Sequence, residues 1–267
     1  MVVVTINYRL GALGWFTHPA IQGLQKGIDK SSNFGTLDII ESLKWVQKNI
    51  HLFGGEASNV TIFGESAGGH NVFALLASPL ANGLFHKAIS QSGYTTSAPQ
   101  KSAYNLNAAD PLIKRGSWQI VNKILDKPLT NYSVDEVRQS LRTMDAREFV
   151  GLYYGDLPSY DEIPLTTIDG IVIPKEGMEA ALGMTEYAKN VPVIAGATKD
   201  EVSLWLGLHR YFLDTSYILT KLLPPKITLK NRELFEFWVR TRSHAWKLRG
   251  VDEPLLALES AGYDNLY

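Results

Sequence analysis

No cysteine occurs among the 267 residues, which excludes disulfides, thiolate metal ligation and a cysteine nucleophile and leaves the redox compartment open. No apolar run approaches the roughly 20 residues that a membrane-spanning helix needs. An excess of one charge is missing too: 26 Lys and Arg stand against 27 Asp and Glu, a net charge of -1. Nothing in that balance favours nucleic acid or an anionic membrane as partner. The six histidines lack the His-x-x-x-His or His-x-His spacing of a metal site. Neither glycine-rich stretch carries the lysine of a phosphate loop. No His-Gly-Gly run occurs either, the only Gly-Gly pairs being Gly54-Gly55 and Gly68-Gly69. What remains is a small molecule as the expected partner, handled without metal or cofactor; oligomeric state and localisation stay open.

What is present is a 45% hydrophobic chain, enough for one substantial core and one domain. Val2 to Tyr8 is β-branched and apolar on both faces, which predicts a strand buried between helical layers. Leu37, Ile40, Leu43 and Val46 recur at three-residue steps, predicting a helix from about Thr36 to Ile50 that Gly54-Gly55 ends. A strand is predicted over Asn59 to Phe63, a helix over His70 to Ala77, and strands over Phe85 to Gly93 and Val191 to Gly196. Thr167 to Pro174 reads as a tight turn into a short strand. Strands alternating with helices indicate βαβ units and a mostly parallel sheet with helices on both faces. Two helical excursions are expected, at about 97–160, where Ser133 and Glu136 have capping-box spacing, and at about 208–262.

The run Gly64-Glu65-Ser66-Ala67-Gly68 lies between a predicted strand and a predicted helix. In that context G-x-S-x-G reads as a nucleophile elbow, in which small residues let the backbone double back and leave the serine hydroxyl above the sheet. Ser66 then stands at a helix N-terminus, where free N–H groups and the helix dipole favour the negative charge of an ester's tetrahedral intermediate.

Taken together, Asn7-Tyr8-Arg9-Leu10-Gly11, Asn33 to Asp38, Trp45 to Ile50, Phe53-Gly54-Gly55 and Asn59 to Gly69 resemble the type-B carboxylesterase family. That family has the α/β-hydrolase fold and includes the cholinesterases and related lipases. The likeness continues through Gly83-Leu84-Phe85, Gln91-Ser92-Gly93, Ile168-Asp169-Gly170 and Val191-Pro192-Val193 to Lys199-Asp200-Glu201. The resemblance implies a carboxylic ester hydrolase with a small ester substrate and no cofactor. Ser66 matches the acyl-accepting nucleophile, the Ala67 N–H an oxyanion donor, and Glu201, rather than Asp200, the acid that orients the catalytic histidine. Glu65 and Ser92 match supporting positions beside the site. A second reading is a non-catalytic binding module on the same fold.

The departures from the family pattern carry expectations of their own. The family's oxyanion glycines precede Asn7-Tyr8-Arg9, and its catalytic histidine follows the final strands. The whole of 1–267 is therefore expected to be one partial domain, a fragment, with the histidine beyond Tyr267. Loss of one donor from an oxyanion hole costs about 2.7 to 4 kcal/mol. None of His18, His51, His70, His86, His209 and His244 is expected to be the base. Three precede Glu201 without a place near the elbow, His209 follows it too closely, and His244 sits in a basic helical stretch. His70 lies in the first turns of the elbow helix, where the dipole disfavours an imidazolium.

Overall fold

The computed structural model describes residues 1–105, 109–110, 115–126, 132–153, 164–217, 224 and 226–267. Short helices α1 (Gly11–Trp15) and α2 (Pro19–Gln22) lead to α3 (Phe34–Asn49), which a 3-10 turn at Ile50–Phe53 and the left-handed Gly54 terminate. Then follow β1 (Thr61–Glu65), α4 (Ala67–Ala77) and β2 (Lys87–Gln91). The first excursion holds β3 (Ala98–Pro99), α5 (Gln100–Tyr104), α6 (Ser117–Leu125), α7 (Val134–Thr143) and α8 (Ala146–Gly151). The last part contains β4 (Thr167–Ile168), α9 (Met178–Leu182), β5 (Val193–Gly196), α10 (Ser203–Gly207), β6 (Leu213–Ser216) and β7 (Lys226–Leu229). Helix α11 (Arg232–Lys247) runs through a π turn (Leu248–Asp252) into α12 (Glu253–Ser260).

The central sheet has the order β1-β2-β5, all parallel. Register places Glu65, Gln91 and Gly196 in one row at the carboxyl ends of the strands. Residues 265–267 run along the far edge of β5, where the Tyr267 N–H donates to the Val193 carbonyl at 2.9 Å. Ile62, Ala88, Val193 and Ala195 turn inward and share one core with Ile40 and Leu43 of α3, Phe73 and Leu76 of α4, Met178 of α9 and Leu258 of α12. Helix α4 is the centre of that core, with every residue from Gly69 to Ala77 buried. The opposite row, Phe63, Ile89 and Ile194, is also in register. Phe63 is 61% exposed and Ile194 47%.

Three expectations need correction. Val2 to Tyr8 forms no strand, and Val3 is 60% exposed. No described strand pairs with this segment, so its N–H and C=O groups have no ladder and its β-branched side chains no cover. Its end alone is anchored: Tyr8 meets Trp15 edge-on, and the Arg9 guanidinium grips Asp38 of α3 through two bonds of 2.8 and 2.7 Å. The second excursion is not wholly helical, since β6 and β7 pair antiparallel with Leu213 opposite Leu229. At 167–174 the strand precedes the turn. The Asp169 carboxylate then accepts the N–H groups of Ile171, Val172 and Ile173, giving that turn an internal partner for each donor. The capping box is present: Ser133 Oγ accepts from the Glu136 N–H, and Glu136 accepts from the Ser133 N–H. Residues 106–108, 111–114, 127–131 and 154–163 of the first excursion lie outside the described residues.

Candidate active site

β1 ends at Glu65 and α4 begins at Ala67, so Ser66 alone makes the reversal. It does so at φ 55° and ψ −112°, a conformation that L-residues other than glycine seldom adopt and that clusters at functional sites. Two glycines make the turn feasible. A Cβ on Gly64 would lie 2.4 Å from the Gly68 carbonyl carbon, and one on Gly69 would lie 2.8 Å from both the Gln91 oxygen and the Gly93 Cα. Gly68, the second glycine of the motif, meets nothing within 4 Å. Close backbone approach therefore demands glycine at 64 and 69, and position 68 is open.

The Ser66 N–H donates to the Gln91 carbonyl at 2.8 Å, which ties the elbow to the end of β2. Ala67 is the first residue of α4 and is exposed. Its N–H is among the first-turn donors that no helical carbonyl accepts. Glu65 is exposed on the last position of β1. No described side chain is hydrogen bonded to Ser66 Oγ.

Ser92 leaves β2 at φ 51°, a second left-handed serine. Its N–H donates to the Gly196 carbonyl at 2.6 Å, and its hydroxyl donates to Glu201 Oε2 at 3.0 Å. The same carboxylate oxygen accepts the Thr198 N–H and the Thr198 hydroxyl, both at 2.7 Å. Oε2 is thus fully engaged, and no described residue bonds Oε1. Asp200 is exposed, with no bond to its carboxylate among the described residues. The loop after β5 therefore brings Glu201 to Ser92, one strand from the elbow, and leaves Asp200 outside. Sequence reasoning missed Thr198; the signal was its place three residues before a glutamate, the spacing at which a carboxylate reaches back to an N–H. It also missed Trp246, whose indole N–H donates to the Ser92 carbonyl at 3.2 Å. No sequence signal marks that contact, which joins residues 154 positions apart.

The histidines are all engaged elsewhere or exposed. His70 Nδ1 lies 2.9 Å from the Tyr94 carbonyl and Nε2 lies 2.8 Å from Thr166 Oγ1. A carbonyl can only accept, so Nδ1 carries the proton and Nε2 receives the threonine hydroxyl. Burial lowers its pKa to about 4. His18, wholly buried, accepts the Ala20 N–H through Nδ1, and burial lowers it to about 4 as well. His86 Nδ1 accepts the Val60 N–H at 3.2 Å. His51, His209 and His244 are exposed. His70 bonds Ser66 only through the backbone, its N–H donating to the Ser66 carbonyl at 3.0 Å, and no histidine ring is hydrogen bonded to Ser66 or Glu201. Among the described residues no group of three His, Asp or Glu side chains could hold a metal ion, and no helix is long and apolar enough to cross a membrane.

Residues 1–220 match the carboxylesterase family over a continuous stretch that contains the elbow and the Glu201 loop. The chain belongs to the carboxylesterase family. Among relatives of this carboxylesterase chain, Carboxylesterase 1D of Rattus norvegicus is 39% identical over 208 residues, covering 75% of this chain and 34% of the relative. The para-nitrobenzyl esterase of Bacillus subtilis is 35% identical over 203 residues, covering 75% of this chain and 37% of the relative. A solved carboxylesterase from Geobacillus stearothermophilus superposes with a TM-score of 0.70 at 25% identity, covering 98% of this chain and 53% of that one. The fold is accordingly the α/β-hydrolase fold. The chain spans about a third of the length of these sequence relatives.

Proposed function

We propose that this site accepts the acyl group of a small carboxylic ester on Ser66. The observation that carries the reading is the elbow itself: a serine held at φ 55° between β1 and α4, its hydroxyl unengaged by any described side chain. In this reading Ser66 Oγ attacks the ester carbonyl and its proton passes to an imidazole that none of the six histidines supplies at the site and that imidazole in solution can replace. The tetrahedral oxyanion lies at the N-terminus of α4, where the Ala67 N–H donates to it. Collapse breaks the bond to the alkoxy oxygen, which leaves as the alcohol after taking the proton, and water then releases the acid from the acyl-serine. Glu201 is the acid that orients the imidazole, and its free Oε1 is the oxygen that suits the task. Ser92 and Thr198 hold its other oxygen. Glu65 contributes negative charge beside the site. No cofactor takes part, and the whole of 1–267 is read as one partial domain. The alternative of a non-catalytic binding module gains nothing from the relatives, which are named as esterases.

The test is covalent labelling by a fluorophosphonate probe with imidazole added as the base, followed by peptide mapping. Modification confined to Ser66 and lost in Ser66→Ala is the expected result. Modification that survives Ser66→Ala, or no modification after prolonged exposure, would overturn the proposal.

A further inference from the structure

Beyond residue 220, where the family match ends, Ser243 and Trp246 of α11 stand at i and i+3 on one helical face, and Gly250 follows in the π turn that continues the helix. Each touches one of the two loops that meet at Glu201. Ser243 Oγ, buried, accepts the N–H of Val202, the residue after Glu201, at 3.3 Å. The Trp246 indole N–H donates to the Ser92 carbonyl at 3.2 Å, and its ring meets Tyr94 edge-on at 6.0 Å. Gly250 lies in the π turn, where an added Cβ would stand 2.2 Å from the Gly93 carbonyl oxygen. π turns inside α-helices are uncommon and recur at functional sites. This one allows the backbone of the helix to rest on the loop after β2, while Val251 and Leu258 continue into the core.

From this geometry we infer that Ser243 and Trp246 of α11, with Gly250 of the π turn that continues it, are the device that positions the acid. It rests on the reading of Glu201 as that acid. Ser92 and Glu201 emerge from different strands, and the direct ties between their loops are the Ser92 N–H to Gly196 and the Ser92 hydroxyl to Glu201. A single rigid helix face bound to both loops fixes their separation, and with it the direction of the free Glu201 oxygen. Ser243, Trp246 and Gly250 are thus positioning residues, acting through Ser92 and Val202.

Two readouts on the full chain test this, using Trp246→Phe, Gly250→Ala and a control, Val239→Ala, which cuts a buried side chain from the same helix. The first is amide hydrogen exchange in peptides spanning 92–97 and 198–202. Exchange there rises at least several-fold in the two test variants and stays unchanged in the control, even where the control lowers the melting temperature as much. The second is Ser66-dependent cleavage of p-nitrophenyl acetate with added imidazole, corrected for Ser66→Ala. The test variants raise the imidazole concentration needed for half-maximal rate about ten-fold, and the control leaves it unchanged. Unchanged exchange in the test variants overturns the grip. Raised exchange with an unaltered imidazole response overturns its role in positioning the acid. Absence of any Ser66-dependent reaction in the unaltered chain overturns the functional reading instead, and exchange alone then judges the grip.

Discussion

The Ser92 hydroxyl donates to Glu201 Oε2 at 3.0 Å across 109 positions of sequence. It joins the loop after β2 to the loop after β5, and the same backbone strand end, through the Gln91 carbonyl, receives the Ser66 N–H. Serine and glutamate are therefore held by one short run, Gln91-Ser92, at the carboxyl edge of a parallel sheet. That edge is where open α/β sheets gather their functional groups.

Ser92→Ala removes a hydroxyl bond to a carboxylate, and such bonds contribute about 1.5–3 kcal/mol. Glu201 is half-buried and keeps both Thr198 bonds, so solvent screening brings the expected loss of unfolding free energy below that range, to about 1 kcal/mol. Urea denaturation measures it. A change below the error of the method would show that solvent replaces the serine without loss.

The two glycines of the elbow motif should respond with opposite signs. Gly64→Ala places a Cβ 2.4 Å from backbone atoms of Gly68, and a clash with backbone has no cheap relief, so about 3 kcal/mol or more is expected. Gly68→Ala enters open space in the first turn of a helix and should stabilise by up to about 1 kcal/mol. Thermal melts of the pair decide the matter; equal effects would contradict the packing described.

Acid should destabilise the fold in a defined window. His18 and His70 each have a folded pKa lowered from 6.5 to about 4, by burial. Between those values the unfolded chain binds the proton and the folded chain does not. The stability from burying neutral imidazole is therefore whole above pH 6.5 and is lost as pH falls toward 4, by roughly 3 kcal/mol per histidine. His70→Gln, which keeps hydrogen-bonding capacity, should remove about half of the histidine-linked slope in a series of urea titrations. An undiminished slope would place the titration in other groups.

The open row Phe63, Ile89 and Ile194, with Phe63 61% exposed, is an apolar strip of the kind that promotes association. Sedimentation should show concentration-dependent self-association that Phe63→Lys weakens. A monodisperse monomer at high concentration would be contrary to expectation.

Turnover of p-nitrophenyl acetate by this chain should stay at trace level, because none of its six histidine rings is hydrogen bonded to the side chain of Ser66 or Glu201. Ser66→Ala and His244→Ala serve as comparisons. Robust turnover dependent on Ser66 and abolished by His244→Ala would identify His244 as the base.

Local rules determined much of this. Glycines at 64 and 68 around a serine, between an apolar strand and an apolar helix, were enough to mark the elbow, while the tertiary structure decided that 64 and 69 are the positions where backbone approach requires glycine. The periodicity of Ile40, Leu43 and Val46 specified α3, and the spacing of Ser133 and Glu136 the capping box of α7, because both act within a turn or two. The tertiary structure decided what pairing and cover decide. Val2 to Tyr8 has strand composition yet remains without a ladder, since a strand exists only where another backbone supplies its bonds. Glu201 and Asp200 are adjacent carboxylates in a polar run, and composition alone does not separate them. Ser92 and Thr198, brought close by the parallel register of β2 and β5, engage one of them. The hold of Trp246 on Ser92 had no local signature, because a contact across 154 positions follows from how helices pack on a sheet and leaves no period in the chain.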